Sequence, residues 1–377
     1  MGAEHAVPSP FTLASTVELR SGAHMPRLGF GVFESKNAKA STASALMNSY
    51  RSVPASSVTA AHVLTRSPAA PSHIDSARYY DNESAVCEAV KMFSEGTPNQ
   101  GTGKVWLTTK VYGNEHGAEV TDKAVEESVA RAKEHGLDWD LFLLHDPTAG
   151  PQKRLEAWKV LIQKRNEGKL KSIGVSNFSV KHLEQLKEAG CELPEVNQVC
   201  LCLTLLYVIG AGVLTRHRFL VQIELHPFLQ QKPIVEYCQA NNIVVQGEQP
   251  SHDASKMRLT VVTSLPAYCP ILRGQRFDDP TLQKLAKKVG WRCFISSSHL
   301  DLVLTLRLFV QHNVSVPQVL IRWSLQKGFV PLPKSDTPGR IQSNADVFDF
   351  ELDASDMQAV EALDEGSSVS WNPVNVA

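Results

Sequence analysis

The chain has 377 residues, 43% of them hydrophobic, so it can bury a large core, and one domain is enough to hold it. Its 38 Lys and Arg balance 39 Asp and Glu, which excludes a global charge that would draw it to nucleic acid or an anionic membrane; any anion site must be local. Seven scattered cysteines without a C-x-x-C pair read as a reduced cytoplasmic protein with no structural metal.

Met1-Gly2-Ala3-Glu4-His5-Ala6 carries an acidic residue and no apolar core, so it does not read as a signal peptide, and Ala6 breaks the myristoylation pattern. Residues 1–24 are expected to be an N-terminal extension, with little in residues 1–20 to tie it down. Leu28-Gly29-Phe30-Gly31-Val32-Phe33 then reads as a first strand, and a helix is predicted over residues 40–50. The apolar pair before Asp75 leads into that carboxylate, and Tyr80 lies five residues on, beside a polar helix start. Two titratable groups thus sit where a strand ends and a helix begins, which is where a βα protein carries its site.

The pattern recurs along the chain. Residues 83–95 place Val86, Val90 and Phe93 on one helical face and stop at Gly96. A strand over 105–110 ends in Lys110, before a helix faced by Val125, Val129 and Ala132. A strand over 139–145 ends in His145, before one built on Leu155, Trp158 and Ile162 and closed by Gly168. A strand over 171–176 ends in Ser176-Asn177, before a helix over 179–189 with Ser179 as N-cap. Residues 329–334 read as the last strand, preceded by a helix over 316–327 with Pro317 in its first turn; shorter helical stretches follow at 340–347 and 354–363. Such alternation predicts a parallel sheet.

Singly, Asp75 reads better as a cap, Lys110 as a solvated strand end and His145 as a satisfied core histidine than as members of a site. In order, however, D-S-A-R-Y-Y-D-N-E from Asp75, T-K at Lys110, L-L-H-D-P around His145, G-V-S-N-F around Ser176, V-N-Q ending at Gln198, I-E-L-H-P ending at Pro227, and L-P-K-S ending at Ser335 with Arg340 six residues after Lys334 resemble the aldo-keto reductase family. The resemblance runs from about Met25 to Asp364 and implies a single-domain (β/α)8 TIM barrel over 25–377.

The same resemblance implies an NADPH-dependent oxidoreductase acting on a small-molecule carbonyl substrate, with Tyr80 as general acid, Lys110 tuning it, Asp75 pairing with Lys110, and His145 orienting the carbonyl. A free tyrosine titrates near pH 10; a neighbouring ammonium makes it a better acid. It further implies that Ser176, Asn177 and Gln198 bind the nicotinamide carboxamide and that Tyr268 stacks on its ring. Lys334, Ser335 and Arg340 would hold a 2′-phosphate, and Asn344 would reach the adenine. Ser343 stands where the family often has Glu, which bears only on the adenine side. A monomer is expected.

Four stretches interrupt this frame: residues 52–72, 199–222, 247–266 and 289–311. Removing them joins segments that continue the family pattern at each junction and leaves roughly 290 residues, ordinary for such a barrel. Each contains Leu-Thr near its end (Leu64-Thr65, Leu214-Thr215, Leu259-Thr260, Leu304-Thr305), and those codons can spell the branch-point sequence of a short intron. Val199-Cys200 can spell a GTATGT donor, and Gln222 and Gln311 can end in a CAG acceptor. The stretches therefore read as four retained in-frame introns; the other reading is four genuine surface insertions. Within the second, Val208-Ile209-Gly210-Ala211-Gly212-Val213 mimics half of a dinucleotide fingerprint without its third glycine, and the apolar run 199–214 is too short to span a membrane. Two competing expectations follow: a nucleotide-binding barrel acting as a non-catalytic regulatory or interaction subunit, or an inactive product of retained introns.

Overall fold

A period of two along each strand sorts side chains onto opposite faces of a sheet, and in this chain that period separates two cores. The computed structural model describes residues 11–48, 73–96, 104–199, 226–248, 276–290 and 314–366. Eight parallel strands form one sheet: β3 (Phe30–Gly31), β4 (His73–Asp75), β5 (Trp106–Val111), β6 (Leu141–Leu144), β7 (Ser172–Ser176), β8 (Val196–Val199), β9 (Val244–Glu248) and β10 (Val330–Leu332). The two edge strands meet as well, Gly29 N–H donating to Pro331 O at 3.1 Å and Gly31 N–H to Pro333 O at 3.3 Å. The sheet is therefore closed into a (β/α)8 barrel: the alternation of elements predicted a parallel sheet, and the family resemblance implied the barrel.

Glycine is required at that seam. A Cβ on Gly29 would lie 2.8 Å from the His73 ring and collide with Leu332, so a side chain there would force the first and last strands apart.

Helices α1 (Ala38–Asn48), α2 (Glu83–Gly96), α3 (Ala118–Glu134), α4 (Pro151–Asn166), α5 (Val180–Glu188), α6 (Lys232–Ala240), α7 (Pro280–Gly290), α8 (Val316–Gln326), α9 (Pro338–Ala345) and α10 (Ala354–Glu361) follow in chain order. Their starts are encoded locally. Ser179 Oγ accepts from His182 N–H, Ser315 Oγ from Gln318 N–H, and Asp353 from Asp356 N–H, each satisfying a backbone donor that the first turn leaves unpaired. Gly168 takes φ 75° after α4, the left-handed stop its position predicted.

Outward residues of the strands, among them Ile74, Leu107, Val111, Phe142, Leu144, Ile173, Val175 and Val245, pack against helix residues such as Val86, Val125, Trp158, Leu183 and Trp323. Inward residues Trp106, Leu141, Leu143, Val196, Val330 and Leu332 form a second core with Leu19 and Met25. Those last two come from an antiparallel hairpin, β1 (Thr16–Glu18) and β2 (His24–Pro26). The weakly tied extension expected over residues 1–20 is thus corrected from Phe11 onward. The hairpin plugs the barrel end at which the strands begin, because its buried Leu19 and Met25 exclude water from the interior layer above.

Of the four interrupting stretches, 52–72 lies wholly outside the described residues and the other three do so except at their first positions: Val199 closes β8, Gly247 and Glu248 close β9, and Val289 and Gly290 close α7. Among the described residues no helix is long and apolar enough to cross a membrane, and no group of side chains could hold a metal ion.

Candidate active site

The alternation that fills the barrel with Trp106, Leu141 and Leu143 near its base turns polar toward the strand ends. Asp75 ends β4, Lys110 sits on the inward face of β5, and His145 follows β6. All three are 0% exposed. Lys110 Nζ donates to Asp75 Oδ2 at 2.6 Å, to the Ser76 carbonyl at 2.9 Å and to the phenolic oxygen of Tyr80 at 3.1 Å. A buried ammonium is tolerable only with a carboxylate and further acceptors around it, and this one has both. The Tyr80 oxygen is also 3.4 Å from His145 Nε2. Burial, and after it the Lys110 charge, pushes the His145 imidazole well below its ordinary range, so it is neutral near pH 7. The structure thus brings the four residues of the expected catalytic set together around one phenolic oxygen.

Beside this cluster, Ser176 ends β7 and Asn177 takes a left-handed φ of 67°. The Asn177 amide donates to the His145 carbonyl at 2.8 Å and to Ser176 Oγ at 2.8 Å, so it braces the backbone that carries the imidazole. Gln198, on the inward face of β8, donates to Asp75 Oδ1 at 2.8 Å and to Gln246 Oε1 at 3.1 Å. Gln246 in turn donates to Met25 Sδ at 3.0 Å. A polar chain therefore runs from the hairpin plug to the Asp75 and Lys110 pair. Tyr268 lies outside the described residues.

Aromatic rings wall the cluster. Phe33 meets the Tyr80 ring edge-on at 4.7 Å, and Tyr112 meets His145 edge-on at 5.8 Å. Tyr79, among the exposed large side chains, stacks on Tyr112 at 4.9 Å. Rings in these positions limit water around Tyr80 and His145 and leave a flat apolar face at the mouth.

The remaining expected residues gather after the last strand. Lys334 and Ser335 are buried, Lys334 Nζ donating to Asp336 Oδ2 at 2.8 Å and to the Glu34 carbonyl at 3.3 Å. Asp336 also accepts from Ser35 Oγ and Ser41 Oγ. Burial acts to raise the Asp336 carboxyl, but the Lys334 and Ser35 hydrogen bonds outweigh it and hold the group below its ordinary value. Arg340 and Asn344 lie one turn apart on α9, Arg340 exposed and without an ion pair among the described residues, Asn344 buried.

Sequence reasoning did not single out Gln246, Asp336, Tyr112 or Phe33. Tyr112 stands two residues after Lys110 and Asp336 two after Lys334, so proximity to the motifs was a usable signal for those two. Nothing local marks Gln246.

A sequence model of the Aldo/keto reductase family matches residues 43–205 and 218–365. Glyoxal reductase from Bacillus subtilis is 32% identical over 368 residues, covering 97% of this chain and 98% of that protein. Among solved structures, an aldo-keto reductase from a Medee basin deep-sea metagenome library superposes with a TM-score of 0.65 at 28% identity, covering 96% of this chain and 99% of that one. A Gox0644 mutant in complex with NADPH superposes with a TM-score of 0.64, also at 28% identity, over 97% and 98% of the two chains. With the family match covering most of the barrel, and close relatives matched along nearly their whole length, the chain belongs to the aldo/keto reductase family and is an oxidoreductase.

Proposed function

We propose that the chain reduces an aldehyde or ketone to an alcohol with NADPH, Tyr80 delivering the proton. The observation that carries this reading is the position of the Tyr80 oxygen, 3.1 Å from a buried ammonium and 3.4 Å from a neutral imidazole. When bound, NADPH supplies the hydride to the carbonyl carbon. Tyr80 donates its phenolic proton to the oxygen on which charge develops. Lys110 stabilises the phenolate left behind, and Asp75 keeps Lys110 charged and aimed. His145, neutral because it is buried, hydrogen-bonds the carbonyl oxygen without competing as a strong acid.

The donor set after the last strand fits a 2′-phosphate. Arg340 has no ion pair among the described residues, Lys334 is within reach of the same loop, and both flank the start of α9 at Pro338. Ser335 and Asn344 line the same stretch, and Ser176, Asn177 and Gln198 present amides and a hydroxyl for the carboxamide. NADPH as this chain's cofactor is supported by that donor set and by the cofactor named for the Gox0644 complex.

The experiment is a turnover assay: the purified full chain, NADPH and a generic aromatic aldehyde, followed by the loss of NADPH absorbance. Steady oxidation supports the reading. NADPH binding without turnover would favour a non-catalytic nucleotide-binding subunit instead.

We further propose that residues 52–72, 199–222, 247–266 and 289–311 are retained introns rather than functional insertions. The family match breaks at 206–217, inside the second stretch, which supports this for that stretch alone; it runs on through the other three. Sequencing the cDNA tests it directly, and a chain lacking the four stretches should be soluble and active. An insoluble shortened chain beside an active full one would overturn the proposal.

A further inference from the structure

The reaction proposed above depends on a phenol carried by a turn that has no core of its own. Arg78–Tyr80 is a single 3-10 turn with no fully buried residue, closed by Tyr80 N–H to Ala77 O at 3.0 Å and Asp81 N–H to Arg78 O at 3.1 Å. It ends at Asp81 in the left-handed region, φ 51°. Two local hydrogen bonds do not hold such a turn rigidly. Phe33 on its ring and Lys110 at its oxygen hold the Tyr80 side chain, and the backbone that carries it needs a further attachment.

The guanidinium of Arg78 supplies that attachment. Nε donates to Glu115 Oε1 at 3.0 Å and Oε2 at 3.2 Å, and Nη2 to Glu115 Oε1 at 2.7 Å and Glu127 Oε2 at 2.9 Å. Nη1 donates to the Ala124 carbonyl at 3.0 Å and to Ser128 Oγ at 3.2 Å. The side chain is 11% exposed, so these contacts are shielded from bulk screening and differ from an ordinary surface pair.

Its partners lie on the two elements that follow the strand carrying Lys110. Glu115 belongs to the turn Gly113–Glu115 that follows β5, while Glu127, Ala124 and Ser128 belong to α3. A second route closes the loop: Arg131 pairs with Glu83 at 2.6 Å, and Glu83 accepts from Thr109 Oγ1 at 2.6 Å, Thr109 being the residue before Lys110. Ser128 Oγ, which accepts from Arg78, donates to the same Glu83 at 3.2 Å, so Arg78 is tied both to the turn after β5 and, through Ser128 and Glu83, to the residue before Lys110.

We propose that Arg78 is a positioning residue that holds the Tyr80 oxygen against Lys110. The proposal rests on Tyr80 being the proton donor. A planar fork meeting a carboxylate through two nitrogens fixes orientation as well as distance, which a lysine in its place would not. Loss of the fork frees the turn to tilt, and displacement of a reacting group by about 1 Å costs on the order of a hundredfold in rate.

The test uses the full chain with Arg78→Gln and Arg78→Lys beside wild type, measuring kcat, KM, NADPH affinity by fluorescence, thermal unfolding, and the pH profile of kcat. Arg78→Gln is expected to lower kcat by tenfold to a hundredfold, by order of magnitude, with NADPH affinity within about twofold of wild type. The alkaline limb of the profile is expected to move to higher pH as the phenol loses its ammonium neighbour. Arg78→Lys is expected to recover melting temperature more fully than kcat, and it carries the test if the Gln variant fails to fold. A variant with near-wild-type kcat per folded molecule and an unmoved profile, whatever its melting temperature, would show a merely structural ion pair and overturn the proposal. A wild type that binds NADPH but never turns over would overturn the functional reading instead, and the positioning role with it.

Discussion

Gln198 donates its side-chain amide to Asp75 at 2.8 Å, across 123 residues of sequence. The amide expected beneath a nicotinamide is therefore also what satisfies the carboxylate that anchors Lys110. Both hydrogens of that NH2 group are committed, to Asp75 and to Gln246, so the residue proposed to meet a cofactor carboxamide is also one that holds the Asp75 and Lys110 pair.

Replacing Gln198 with Met keeps the volume and removes the donor. Asp75 Oδ1 then sits in the barrel interior without that bond, and leaving a buried acceptor unsatisfied costs about 1 to 3 kcal/mol, more when it is charged. Chemical denaturation should show a lower midpoint with an unchanged slope. A midpoint equal to wild type would mean that the bond does not stabilise the fold.

The second expectation concerns pH. His73 lies inside the barrel against Thr108 Oγ1 at 3.0 Å, and burial pushes its imidazole down from 6.5 to about 4. The folded chain refuses a proton that the unfolded chain accepts. Stability from this group is therefore fully present above pH 6.5, falls as pH drops below it, and levels off below about pH 4. By pH 5 the loss is on the order of 2 kcal/mol. Urea midpoints across this window, for wild type and His73→Asn, check it: the variant should lose part of the slope, and an identical slope would assign the pH dependence to other groups.

Cofactor preference follows from the loop after β10. Arg340 is exposed and has no ion pair among the described residues, whereas Lys334 is already engaged by Asp336. Charge-assisted hydrogen bonds contribute roughly 1.5 to 3 kcal/mol each, so Arg340→Ala should weaken NADPH by about tenfold or more and leave NADH nearly unchanged. Fluorescence titration of both nucleotides separates this from a solvated surface charge, whose loss would move neither. Equal weakening of both would remove Arg340 from the phosphate.

The candidate set was legible because its members stand at or just after the ends of apolar runs and because the motifs, in order, resemble one family. Singly, Lys110 read as a solvated strand end, and it is the fold that puts it on the inward face of β5 with Trp106. What was not legible depends on distant pairing. Arg78 reaches Glu115 and Glu127, 37 and 49 residues on, and no period links them. Gln246 matters only because β8 and β9 pair Gln198 with it. The hairpin was missed for another reason: its strands have three residues each, too short for alternation to show, and its burial comes from Leu19 and Met25 meeting a barrel floor that exists only after folding.

The central claim is that the Tyr80 phenol is the proton donor, and Tyr80→Phe tests it most directly. The substitution keeps the ring against Phe33 and removes only the oxygen that faces Lys110 and His145. Turnover of an aromatic aldehyde and the NADPH dissociation constant are measured on the same preparations. The account predicts a fall in kcat of ~10²-fold or more, as losing a general acid does, with NADPH affinity within about twofold of wild type. A variant that keeps most of its rate while binding NADPH normally would contradict the account.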